Sequence, residues 1–175
     1  LFTIDQPVFN ENNSIGVRLD DLKQKPKETI AALCDWMGIK EENTLYEMTA
    51  QGKKWWGDHS TPFLPAFGKV DKRKLGKVFS KKDKFILDTI YYPFRVKFNY
   101  TEENIEKFRK DLKTIRPMIN EIFDFEKEIA INLNIDKKTL IANGLARFFR
   151  SLLLNRWDIL NKYNTYPNMI NKLKI

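Results

Sequence analysis

Apolar side chains alternate at Ile15, Val17 and Leu19, which predicts a strand over about 15–19. The pattern breaks at Asp20-Asp21-Leu22-Lys23 and then changes period. Ile30, Leu33, Cys34 and Met37 fall at i, i+3, i+4 and i+7, one apolar face of a helix over about 27–37. Pro26 suits the first helical turn, where its missing N–H is no loss, and Gly38 suits the left-handed residue that ends a helix. A buried strand leading straight into an amphipathic helix is a unit of a layered α/β domain.

Residues 1–14 start apolar and pass into an Asn-rich loop, and Glu41 to Met48 adds one or two helical turns. Residues 50–79 hold four of the seven glycines and two prolines, so they predict a long irregular segment, of the kind that usually carries function when ordered. Ser80 and Asp83 form an acidic variant of the capping box, starting a helix through Phe85, Ile86 and Ile90 that Pro93 kinks or ends. Thr101 with Asn104, and Glu102 and Glu103 in the first turn, open the next helix. Apolar residues recur there at Ile105, Phe108, Leu112, Ile115, Ile119, Ile122, Ile129 and Leu133, a coiled-coil-like seam kinked near Pro117 and interrupted only at Glu126. Asn134 and Asp136 mark a turn, with Asp136 as N-cap. Ile141, Leu145, Phe148, Leu152, Ile159 and Tyr163 continue the pattern on a returning helix. The expectation is a helical hairpin over about 102–163.

Composition agrees with a packed domain: 42% of the 175 residues are hydrophobic, which excludes a disordered chain. The single Cys34 sits on the apolar helix face with no disulfide partner and reads as a small buried hydrophobe, and no run of 18 apolar residues or signal peptide is present. Charge is uneven. Residues 1–50 carry 5 basic and 9 acidic side chains, 51–100 carry 12 and 4, and 101–175 carry 14 and 10. The basic excess therefore falls on the irregular segment, including the run from Lys69 to Lys77, and would attract a nucleotide or a polyanion.

Three stretches resemble the sulfotransferases that use 3′-phosphoadenosine 5′-phosphosulfate (PAPS). Val17-Arg18-Leu19-Asp20-Asp21-Leu22, Pro26 and Leu33-Cys34-Asp35-Trp36-Met37-Gly38 are similar to the family's late strand–helix unit. Gly52-Lys53-Lys54-Trp55-Trp56-Gly57-Asp58 resembles the G-K-x-W-W-G-[DN] of many bacterial members, and Phe79-Ser80 to Asn99-Tyr100 resembles the helix that closes the family domain. The resemblance covers about residues 15–100. It implies an α/β, P-loop-type fold represented here by its C-terminal part, mostly helical in this chain, with residues 1–100 in that domain and 101–175 as a helical-hairpin extension. It implies sulfuryl transfer from PAPS to a hydroxyl or amine acceptor, and a cytoplasmic location. Gly52, Lys53, Lys54, Trp55, Trp56 and Gly57 are the candidate cofactor-binding residues. Leu19 stands where the family commonly has a Tyr against the adenine.

The phosphosulfate loop, the partners of the 3′-phosphate and the catalytic base belong to the family's N-terminal half, and no P-[KR]-[ST]-G-[ST] loop occurs here. The chain, which starts at Leu1, is therefore expected to need that missing half and to be inactive alone, with no catalytic residue assigned. His59, the only histidine, reads as loop decoration, while Asp20 and Asp21 diverge on a strand and read as capping or salt-bridge groups. Trp55 and Trp56 equally suit core plugs beneath a loop. No Cys/His metal spacing is present. Two other classes compete: a basic helical module binding nucleic acid or an acidic protein through residues 69–84 and the hairpin, and a homo-oligomer assembled through the seam.

Overall fold

The computed structural model describes residues 6–47, 49–50, 53–54, 79–136, 138–139, 144–162 and 166–175. In chain order they form α1 (Gln6–Glu11), β1 (Ile15–Gly16), α2 (Leu19–Gln24), α3 (Pro26–Met37), a 3-10 turn (Asn43–Tyr46), β2 (Thr49–Ala50), β3 (Lys53–Lys54), α4 (Lys81–Ile90), α5 (Tyr92–Lys97), α6 (Ile105–Met118), α7 (Asp124–Asn132), α8 (Gly144–Lys162) and β4 (Asn171–Lys172). The fold is mostly helical. β1 pairs in parallel with β4, Ile15 opposite Asn171 and Gly16 opposite Lys172. β2 pairs antiparallel with β3, Thr49 opposite Lys54 and Ala50 opposite Lys53. Two compact units result: a helical one of residues 1–12 and 73–169, and a smaller one of 13–72 and 170–175.

The helical unit is built on caps and one apolar core. The Ser80 hydroxyl accepts the Asp83 N–H at 3.1 Å, and the Asp83 carboxylate accepts the Ser80 N–H at 3.4 Å, closing the expected capping box on α4. Asp83 does more than that. It is fully buried and also accepts the N–H groups of Asp124 and Phe125, both at 3.0 Å, so one carboxylate caps α4 and α7 together. Each such cap is worth about 0.5–2 kcal/mol, so Asp83→Ala is expected to cost about 1–4 kcal/mol of stability in urea unfolding. A loss of a few tenths would mean that water replaces the carboxylate at both helix ends. Asn104 caps α6, accepting the Lys107 N–H at 2.9 Å, and α5 restarts the chain with Pro93 in its first turn. Ile86 and Ile90 of α4, Phe108, Leu112 and Ile115 of α6, Ile119 and Phe123, and Leu153 and Leu160 of α8 form the buried core.

The expected hairpin is corrected. Residues 105–133 make two helices, because α6 ends one residue after Pro117. A proline lacks the N–H that the last turn would use, and the Asn120 and Glu121 amides instead bond three residues back, to Pro117 and Met118. The seam holds at Phe108, Leu112, Ile115 and Ile119 and then stops: Ile129 and Leu133 are 47% and 64% exposed. Glu126, the apparent interruption, is buried. On the returning helix the buried residues are Ala146, Leu153 and Leu160, while Phe148 is 66% exposed. Of the expected stripe, Leu152 and Ile159 are half-buried, Ile159 packing against the core, and Ile141 and Tyr163 lie outside the described residues. α6 packs on both α4 and α8, so the units do not divide at residue 100.

In the smaller unit the strand is shorter than expected. Only Ile15 and Gly16 pair, and Leu19 begins α2, 65% exposed, with Asp20 and Asp21 in the favourable first turn. α3 starts at Pro26 and ends at Gly38, whose φ of +67° is the left-handed conformation expected of it. Thr29, Ile30 and Cys34 are its buried face; Leu33 is half-buried and Met37 is exposed. Among the described residues, strand pairing is confined to β1–β4 and β2–β3, and no helix is long and apolar enough to cross a membrane.

Candidate functional site

Of the candidate cofactor-binding residues, Lys53 and Lys54 belong to β3, whose backbone pairs with Thr49 and Ala50. Gly52, Trp55, Trp56 and Gly57 lie outside the described residues, as do Asp58, His59 and the basic run 69–77. The β1–α2 turn of the smaller unit holds the first residues of the strand–helix motif. There Arg18 and Lys172 both face Asp21, at 3.6 and 3.9 Å, and all three side chains are more than four-fifths buried. Asp21 is thus a salt-bridge residue, as expected. Leu19 points to solvent.

The Tyr46 hydroxyl donates to the Glu41 carboxylate, and that bond pushes its pKa up to about 12. It closes the 3-10 turn and stays protonated at neutral pH.

Among the described residues, the helical unit lines two cavities. One, of 310 Å³, opens beside Tyr92 between Asp88, Arg95, Lys107 and Asp111. Four of its charges pair, Arg95 with Asp88 at 2.6 Å and Lys107 with Asp111, and Glu102 also lines it. The Tyr92 hydroxyl is committed as well, donating to the Glu102 carbonyl at 3.1 Å and accepting the Asn104 N–H at 2.5 Å. The other, of 560 Å³, lies by Glu103, Glu106 and Tyr166. Burial first, and the Glu103 carboxylate second, push the Tyr166 hydroxyl well above the usual tyrosine range.

The two buried carboxylates of this unit are both structural. Asp83 is held by backbone N–H groups, and Glu126 accepts the Phe123 N–H at 2.8 Å and both of its oxygens meet Arg150, at 3.0 and 2.8 Å. Among the described residues no group of His, Cys, Asp and Glu could hold a metal. The apolar seam on α6 is spent inside the unit, so it does not offer itself to a second subunit. Arg116 lies over the Trp157 indole and Arg156 over Tyr91, so part of the basic charge of α6 and α8 is packed onto aromatic rings.

Comparisons with protein-family models, curated proteins and solved structures gave no match.

Proposed function

We propose that this chain is the C-terminal portion of a PAPS-dependent sulfotransferase, transferring a sulfuryl group to a hydroxyl or amine acceptor in a cytoplasmic enzyme. The observation that carries the reading is local. A strand at Ile15–Gly16 leads through a short helix, Leu19–Gln24, into a helix that begins on Pro26 and ends on left-handed Gly38. Pro26 to Gly38 take the helical form the motif implies, while Val17 and Arg18 follow the strand and Leu19 to Leu22 lie in the short helix. The motif's proline and glycine each stand where their backbone chemistry is needed.

On this reading Gly52 to Gly57 approach the nucleotide, with the lysines facing its 3′-phosphate. The upstream half supplies the phosphosulfate loop and the base, and the chemistry is in-line displacement of adenosine 3′,5′-bisphosphate by the acceptor oxygen or nitrogen. Positioning and positive charge lower the barrier.

The test is calorimetry on the chain joined to such an upstream half, with Lys53→Ala and Lys54→Ala compared on the bisphosphate and on an analogue lacking the 3′-phosphate. A charge-assisted phosphate contact is worth about 1.5–3 kcal/mol, so bisphosphate binding is expected to weaken about ten- to a hundredfold and analogue binding much less. Equal small effects on both ligands would assign the lysines to solvated surface. The 175 residues alone are expected to transfer no sulfuryl group, and robust activity from them would overturn the assignment of roles.

A further inference from the structure

We propose that residues 170–175 are a detachable strap, and that the edge of β1 they cover is a docking site for an extended strand. The proposal is independent of the sulfotransferase reading. It commits to one occupant, the chain's own Ile170–Ile175 sequence, in cis or supplied as a peptide.

β1 and β4 come from distant parts of the sequence and pair in parallel, Ile15 with Asn171 and Gly16 with Lys172. A parallel pair cannot be closed by a tight turn, so β4 reaches β1 only as a returning segment. The chain changes units at this point: residues up to Met169 belong to the helical unit and those from Ile170 to the smaller one.

What holds β4 is the chemistry of strand addition, main-chain bonds with side-chain anchors on alternate faces. The Leu173 N–H donates to the Gly16 carbonyl at 2.8 Å, and the Leu173 side chain is 5% exposed. Lys172 lies on the other side of the strand, 3.9 Å from Asp21. Leucine is the anchor and lysine sets the register.

The same list shows why the strap can leave. Two residue pairs fall far short of a self-sustaining sheet. Ile170 and Met169 are only half-buried, and Lys174 and Ile175 are exposed. The core of the helical unit, by contrast, has no member among residues 170–175. Release therefore uncovers β1 without dismantling α4, α6 and α8. A bare β1 edge is a template for another strand, and the strap is what covers it.

The experiment uses a chain ending at Met169 and a labelled peptide spanning residues 166–175, read by fluorescence anisotropy. The peptide is expected to bind the shortened chain saturably, one to one, and to bind the full chain poorly, because the edge is occupied there. The Leu173→Asp peptide is expected to lose that binding. Equal binding to both chains would overturn the proposal, as would no binding by a shortened chain that keeps its helical circular dichroism.

Amide exchange on the full chain covers the case in which the shortened chain fails to fold. Leu173→Asp is expected to speed exchange at residues 15–17 and leave the amides of Phe108 to Ile115 protected. Unchanged exchange at 15–17 would overturn the strap, and collapse of protection in α6 would make these residues core instead.

Discussion

Replacing Glu126 with Ala is expected to destabilise the helical unit by about 3–5 kcal/mol, the cost of breaking one side of a buried ion pair. Glu126 and Arg150 are 6% and 12% exposed in their side chains. Removing the carboxylate leaves a guanidinium with little access to water and frees the Phe123 N–H that Glu126 accepts at the start of α7. Arg150→Ala should cost a similar amount, because Glu126 then keeps one backbone partner and loses the charge that balanced it. The double replacement Glu126→Gln with Arg150→Met should cost less than either single truncation, since no unpaired charge remains buried. Denaturant unfolding of these chains, with Glu126→Ala/Arg150→Ala added to close the cycle of the two truncations, gives the coupling between the sites. Additive losses, with no coupling between the two sites, would mean that water screens this pair as it screens surface ion pairs.

Glu126 also marks where the sequence could be read and where it could not. As a charge within an apolar seam it looked like an interruption, and only the end of α6 at Met118 turned it into the third residue of a new helix. Its partner lies 24 positions away, on α8. Local signals survived well: Ser80 and Asp83 close a capping box, Asn104 caps α6, Gly38 ends α3, and Asp136 accepts the N–H groups of Lys138 and Thr139 at 2.8 and 3.0 Å. Such signals involve residues within four positions of one another, so the local sequence contains both partners. Leu153 against Leu152, or Phe149 against Phe148, is decided by which helix lies opposite, and that is not written within α8.

The candidate site divides in the same way. Arg18 and Asp21 are neighbours and their pairing was foreseeable, but Lys172 joins them only because residues 170–175 return to β1. The six residues Ile170–Ile175, three of them apolar, give no hint of strand pairing, since two residue pairs leave no period to detect. Val17 and Leu19 extended an apparent alternation that the pair of aspartates overrode by favouring a helix start. The motif at Gly52–Asp58 was legible as a motif, and only the backbone of its two lysines is described.

A chain ended at Tyr100 is expected to lose cooperative folding in its helical part, the reverse of what an appended hairpin would allow. Ile86 and Ile90 are fully buried, and they are covered by Phe108, Leu112 and Ile115 from α6 and by Leu153 and Leu160 from α8. Ending the chain at Tyr100 strips all of these away. Each large buried aliphatic side chain left bare forfeits about 1.5–3 kcal/mol of burial, and the loss of Asp124 and Phe125 also takes two hydrogen bonds from Asp83. Against a typical total stability of about 5–15 kcal/mol, that is enough to melt α4 and α5. The readout is thermal unfolding followed by circular dichroism and calorimetry together. A sharp transition with native helix content over residues 81–97 in the shortened chain would show that α4 and α5 hold without α6 and α8. A broad, featureless curve would place residues on both sides of Tyr100 in one shared core.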